Sequence, residues 1–157
     1  MESNRQELAD KLKAEITAYQ RATDAFDEAV ADRFGVNRTD LRCLDVLFGG
    51  AMSAGQLAEA AGLSPAAMTT LIDRLEQKGY VRRVRDAADR RRVLVELTDQ
   101  ARKQAWRAYG PLVEEGGASF ARYTVKQLVL ITAFLRDARE LTDRHRKRVR
   151  EQPLTPE

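Results

Sequence analysis

The chain has 157 residues, 43% hydrophobic and 32% charged, with a formal net charge of +3. That is enough for one domain, or one globular module with helical extensions, and too apolar for a wholly disordered polypeptide. Cys43 is the single cysteine and His145 the single histidine, which excludes an internal disulfide and a His/Cys metal cluster within one subunit.

No EF-hand spacing appears among the carboxylates, so neither a metal nor another cofactor is expected. No apolar run approaches the roughly 20 residues that span a bilayer. The first residues, MESNRQELADKLKAE, are charged and helix-forming rather than a signal peptide, and a cytoplasmic protein without membrane contact is expected. The charge is unevenly shared. Residues 1–63 carry 7 Lys/Arg and 11 Asp/Glu, whereas residues 64–157 carry 20 and 13. Within 74–92 there are eight basic side chains against three acidic ones. A charge run is ordinarily a solvated face; phosphate binding needs a motif at the same place.

In chain order, Leu8, Leu12, Ile16, Tyr19, Phe26, Val30 and Phe34 recur in steps of three, four and seven. They form one stripe of a long helix ending near Gly35. A shorter, largely apolar helix follows between Asn37 and Gly49. Cys43 lies inside it, where it reads as a small buried hydrophobe or, with an activated thiolate, as a redox sensor. Ser53-Ala54-Gly55-Gln56 is a capping box opening the next helix, which Gly62 closes. Ser64-Pro65 then supplies an N-cap and a first-turn proline. One helix ends and another begins within about three residues, the geometry of a helix-turn-helix.

The second of these helices places Met68, Leu71, Ile72 and Leu75 on its core face. Ala66, Thr69, Thr70, Asp73, Arg74 and Gln77 fall on the other. Near the start that outer face is small and hydroxylated, suited to bases and phosphates. Gly79 ends the helix. The stretches 80–85 and 92–97 read as two strands joined by Asp86-Ala87-Ala88-Asp89, with Val93, Val95 and Leu97 toward the core. Arginines at the hairpin tip have no core to enter, and they suit phosphate or a narrow minor groove. Asp89 is placed to hold the Arg91 guanidinium. An ordinary surface hairpin with weak local ion pairs is the plain alternative.

Thr98 can cap a further helix carrying Ala101, Ala105, Trp106, Leu112 and Val113, which Gly116-Gly117 is expected to loosen or end. Thr124-Val125-Lys126-Gln127 caps the last helix, with Leu128, Ile131, Leu135, Ala138 and Leu141 on one stripe. Its basic end, Arg144–Arg150 with His145 inside, reads as a solvated helix terminus before a Pro-containing tail. Two long amphipathic helices at opposite ends suggest a bundle, folded back or shared between two subunits.

The chain resembles the MarR family of winged helix-turn-helix transcriptional regulators. The residues carrying the resemblance are Gln56-Leu57-Ala58, Gly62-Leu63-Ser64, the run from Met68 to Glu76, Gly79-Tyr80-Val81, and Asp89-Arg90-Arg91 leading into Leu97-Thr98. The resemblance implies a mainly α fold with a small β-wing. Residues 1–36 would be an N-terminal dimerisation helix, 37–98 the DNA-binding region, and 99–157 the C-terminal dimerisation helices and basic tail, in one continuous domain. It implies a homodimer on a palindromic operator in double-stranded DNA. Ser64, Pro65, Ala66, Thr69, Thr70 and Arg74 would face the major groove or its phosphates. Arg90 and Arg91 would enter the minor groove, with Asp89 steadying Arg91. Many relatives are repressors that leave DNA when a small phenolic or anionic effector binds between the DNA module and the dimer helices. Others sense oxidants through a cysteine in the first long helix, a cysteine this chain lacks.

No G-x-S-x-G, P-loop or metal pair is present, and Cys43 and His145 fall in unrelated segments, so an enzyme is not expected. A winged helix serving protein or RNA contact, without catalysis, is the remaining alternative. The arginine-bearing wing and the small, non-acidic helix face favour DNA.

Overall fold

The computed structural model describes residues 2–152; the Pro-containing tail at 153–157 lies outside them. The elements are α1 (Glu2–Phe34), α2 (Arg38–Phe48), α3 (Ala54–Ala61), α4 (Pro65–Gln77), β1 (Val81–Arg85), β2 (Val93–Leu97), α5 (Asp99–Ser119), a 3-10 turn (Phe120–Arg122) and α6 (Val125–Glu151). The chain divides into two compact units, Met1–Ala108 and Tyr109–Glu157, with the division inside α5.

Local chemistry sets the boundaries in the first unit. Asn37 caps α2 in a reciprocal box with Asp40, and Ser53 caps α3 in the same way with Gln56. Each box satisfies two helix N–H donors that would otherwise be orphaned. Gly62 adopts φ 69°, a left-handed conformation that costs glycine nothing, and turns the chain from α3 toward Ser64, the N-cap of α4.

The helices close over one core. Leu47, Leu57, Met68, Ile72, Leu75, Val81 and Val95 are fully buried, as is Cys43. Burying a side chain of this size stabilises by about 1.5–3 kcal/mol, which is why the four apolar positions of α4 decide which face is left outside. α1 contributes Val30 and Ala31 to the buried set; farther toward its start, Leu8, Leu12 and Tyr19 are exposed.

β1 and β2 form an antiparallel hairpin in the register Val81↔Leu97 to Arg85↔Val93. The segment at Met52 adds a bridge on the far side of β2, exchanging two backbone hydrogen bonds with Val95 at 3.0 and 2.7 Å. Val95 and Leu97 enter the core as expected, but Val93 is exposed, because the hairpin has by then projected past the helices that would cover it. Arg92 also falls in the turn rather than in the strand.

α5 starts at Thr98, whose hydroxyl accepts from the Ala101 N–H at 3.1 Å, and it buries Ala101 and Ala105. It does not stop at Gly116-Gly117 but continues to Ser119, with Pro111 inside it. Glycine within a helix costs about 1 kcal/mol but breaks no hydrogen bond, so a pair of glycines weakens a helix without ending it. In the second unit α6 is capped by the Thr124–Gln127 box. Val125, Val129, Leu130, Leu135 and Leu141 are all exposed along it, and its basic end is helical to Glu151.

Among the described residues no helix is long and apolar enough to cross a membrane, and no three His, Cys, Asp or Glu side chains group as metal ligands.

Candidate nucleic-acid interface

α4 presents its unburied side at its N-terminal end. Ser64 Oγ accepts from the Ala67 N–H at 3.2 Å, and Ser64, Pro65, Ala66, Thr69 and Thr70 are exposed. Both threonine hydroxyls donate back along the helix, Thr69 to the Pro65 carbonyl at 3.0 Å and Thr70 to the Ala66 carbonyl at 3.2 Å. Their protons are thereby occupied, leaving oxygen lone pairs and methyl groups as what this surface offers. Acceptors and methyls match the exocyclic amines of adenine and cytosine and the thymine methyl.

Arg74 does not join that surface as an open side chain. Its Nε and Nη2 donate to the two Asp40 oxygens at 3.1 and 2.5 Å, and Asp40 is buried. Donating to the Asp40 carboxylate raises the Arg74 pKa above its ordinary value. No functional motif marks Asp40 in the sequence, although its place three residues after Asn37 is a recognisable capping-box signal.

Asp73 and Glu76, the acidic groups on the same helix, are both covered from β1. Arg83 donates Nη2 to Asp73 Oδ1 at 2.5 Å, pairs through Nη1 with Glu76 Oε2, and gives its backbone N–H to Glu76 Oε1 at 3.2 Å. The Asp73 hydrogen bond is the chief reason the Arg83 pKa is raised. The wing is therefore tied directly to α4.

The hairpin tip is built by its own aspartates. Asp86 Oδ1 accepts from the Ala88 N–H at 2.8 Å, and Asp89 Oδ1 accepts from the Arg91 N–H at 3.0 Å. Asp89 thus holds the Arg91 main chain rather than its guanidinium, a correction to the expected contact. An aspartate two residues ahead closes an Asx turn more readily than it reaches around to a long side chain.

Ion pairing sorts the arginines. Arg82 pairs with Glu96 at 2.7 Å and Arg92 with Asp86 at 3.7 Å, while Arg74 and Arg83 are engaged as above. Among the described residues no carboxylate lies within ion-pairing distance of Arg85, Arg90 or Arg91, which are all exposed. Arg90 and Arg91 are the residues expected at this place; Arg85 belongs to the basic cluster, but no motif singles it out. Its position one residue before the turn is the signal that could mark it.

Cys43 is fully buried, and burial pushes its thiol up to about 11, with the Asp40 charge acting in the same sense. A thiol held protonated is a poor nucleophile, the opposite of what redox sensing needs.

A family model described as "MarR family" matches residues 36–93. The chain is 35% identical over 130 residues to the uncharacterized HTH-type transcriptional regulator YcgE of Bacillus subtilis (strain 168), covering 82% of this chain and 84% of that protein. It is 30% identical to the HTH-type regulator YwaE of the same organism, covering 74% and 69%. Among solved structures, a MarR family protein from Bacillus stearothermophilus superposes with a TM-score of 0.64 at 16% identity, covering 88% of this chain and 97% of that one. A point mutant of S. aureus MepR bound to an oligodeoxyribonucleotide superposes with a TM-score of 0.52 at 15% identity, covering 80% and 96%. At these identities the superpositions show the shared winged-helix fold.

Proposed function

The chain belongs to the MarR family of DNA-binding transcriptional regulators, not to an enzyme family, and on that premise we propose that it works as a homodimeric repressor reading a palindromic operator. The observation that carries the proposal is the sorting of the arginines. The side chains at the wing tip, Arg90 and Arg91, are exposed without ion-pair partners, as is Arg85, while Arg74, Arg82, Arg83 and Arg92 are spent on carboxylates of the same chain. Unpaired guanidinium groups beside a helix with a small, acceptor-rich face are what phosphates and a narrow minor groove select.

In this reading Ser64, Pro65, Ala66, Thr69 and Thr70 approach major-groove edges and the adjoining phosphates. Arg90 and Arg91 enter the minor groove, Arg85 meets the backbone between them, and Asp89 holds the loop that presents Arg91. The apolar faces support dimerisation. Leu8, Leu12 and Tyr19 on α1 and Val125, Val129, Leu130 and Leu135 on α6 are exposed in the single chain, and large apolar side chains gathered on a helix are candidates for an interface. Two-fold symmetry then sets half-sites about one helical turn apart, roughly 10 bp. A small phenolic or anionic effector releases the operator by binding the DNA-free dimer better than the DNA-bound one. The cytoplasm is its proposed place of action.

Selection of bound sequences from random duplex DNA tests this reading. An imperfect palindrome with half-site centres about 10 bp apart is the expected outcome. Bound pools no different from the input, with folded dimeric protein, would overturn it.

A further inference from the structure

The α1–α2 corner holds the far end of the DNA-reading helix at two points. Asp40, in the first turn of α2, receives three donors: Arg74 Nε and Nη2 and the Asn37 N–H at 3.3 Å. Six residues beyond Arg74, the Tyr80 hydroxyl donates to the carbonyl of Phe34, the last residue of α1, at 2.8 Å. The Phe34 and Tyr80 rings lie 5.9 Å apart. Residues 34–40 thus grip residues 74–80.

The physical cost of this arrangement points to its use. Asp40 is 1% exposed and neighbours the buried Leu41, Cys43 and Leu44. Burying a carboxylate is expensive, and a buried ion pair commonly does no better for stability than apolar residues of similar volume. What a two-bond guanidinium–carboxylate fork does supply is direction, because both distance and orientation are fixed. A helix held only by Met68, Leu71, Ile72 and Leu75 could shift or rotate slightly at small cost. Each degree of rotation about its axis would move Ala66, Thr69 and Thr70 relative to the bases they face.

We propose that Asp40 and Arg74 are positioning residues that fix the rotational setting of α4 against the α1–α2 corner, and that Arg74 itself contacts neither base nor phosphate. The inference rests on the reading of α4 as the DNA-facing helix. It departs from the sequence-based expectation, in which Arg74 is one of the groove-facing side chains. It also gives a buried acidic residue a part in DNA specificity, where electrostatics alone would make any carboxylate unfavourable to binding.

The test uses the full chain with Arg74→Lys, Asp40→Asn and the double variant. Affinity is measured over a range of salt concentrations, for the wild-type-selected operator and for a random duplex. Positioning predicts that each single variant loses about tenfold or more in the ratio of specific to non-specific affinity. Non-specific affinity and the salt slope stay unchanged, since every phosphate contact is kept. The double variant should be no worse than either single one, because both break the same link. Retention of the specificity ratio by Arg74→Lys overturns the proposal, since lysine keeps the charge and loses only the fork. So does unchanged or improved operator binding by Asp40→Asn. Should Asp40→Asn fail to fold, Arg74→Lys decides alone, its side chain being partly exposed. If the wild-type chain selects no sequence, the assignment of α4 to DNA fails and this inference falls with it. If the wild type selects an operator and Arg74→Lys matches it, the positioning role alone is wrong.

Discussion

Arg83 of the wing strand reaches Asp73 of α4 at 2.5 Å and takes Glu76 with its other nitrogen, so one guanidinium joins the two elements proposed to touch DNA. The link also offsets one of the two negative charges on a helix proposed to approach phosphate. Exposed ion pairs contribute only about 0.2–1 kcal/mol each to stability. The value of this one lies in what it covers and what it aligns.

Replacing Arg83 with Ala should therefore leave the fold nearly as stable while lowering DNA affinity about tenfold, although Arg83 is not itself proposed to contact DNA. Adding Asp73→Asn to that variant should recover part of the loss by removing an uncovered charge. Fluorescence anisotropy on labelled duplex, alongside thermal melting, separates the two effects. An Arg83→Ala protein that binds like wild type would show that the wing sets its own angle.

Cys43 should be inert in the native protein. Its pKa in the folded state, about 11, lies above its ordinary 9.0, so the folded state keeps a proton that the unfolded state releases in that window. Stability is then independent of this group below about pH 9, and its contribution is lost as pH rises from 9 toward 11. Thiol reagents at about pH 7.5 should modify Cys43 only on unfolding, because little thiolate forms in the folded state. Peroxide should leave operator affinity unchanged. Rapid native labelling would contradict the burial. Peroxide-dependent release would return a redox role to this residue.

Leu130 is 69% exposed on α6, so Leu130→Asp should cost the single chain little. If α6 takes part in the dimer, the same change places a carboxylate in an apolar interface, and sedimentation should show a shift toward monomer. Operator affinity should then drop toward that of one half-site, with the winged unit still folded by circular dichroism. A variant that remains fully dimeric would remove that face of α6 from the interface.

What the chain reveals before folding is chiefly what is local. The Ser53, Ser64 and Thr124 caps, the turn at Gly62 and the Met68–Leu75 stripe each depend on residues within one or two turns, and each is found where its pattern lies. The Asp40–Arg74 pair joins residues 34 apart, and no periodicity announces it. Nor does alternation say how far a hairpin extends past its supporting helices, which is why Val93 is exposed while Val95 is buried. The Met52 bridge depends on how the loop before α3 meets β2, again a tertiary fact. Among the wing arginines, residue type marks the cluster, but only the placement of Asp73, Glu76, Asp86 and Glu96 shows which members are already paired.

Arg90 and Arg91, unpaired at the wing tip, are proposed to enter the minor groove between the phosphates, and the salt dependence of binding measures that contact. Log affinity for the selected operator is plotted against log salt for wild type and for the Arg90→Ala/Arg91→Ala variant. Removing one arginine–phosphate pairing reduces the slope by about 0.9 on duplex DNA, so two arginines from each of two subunits should flatten it by up to about 3.6. That flattening is the expected outcome, with operator affinity at least about a hundredfold weaker and the dimer intact. A folded variant with the wild-type slope and affinity would contradict it.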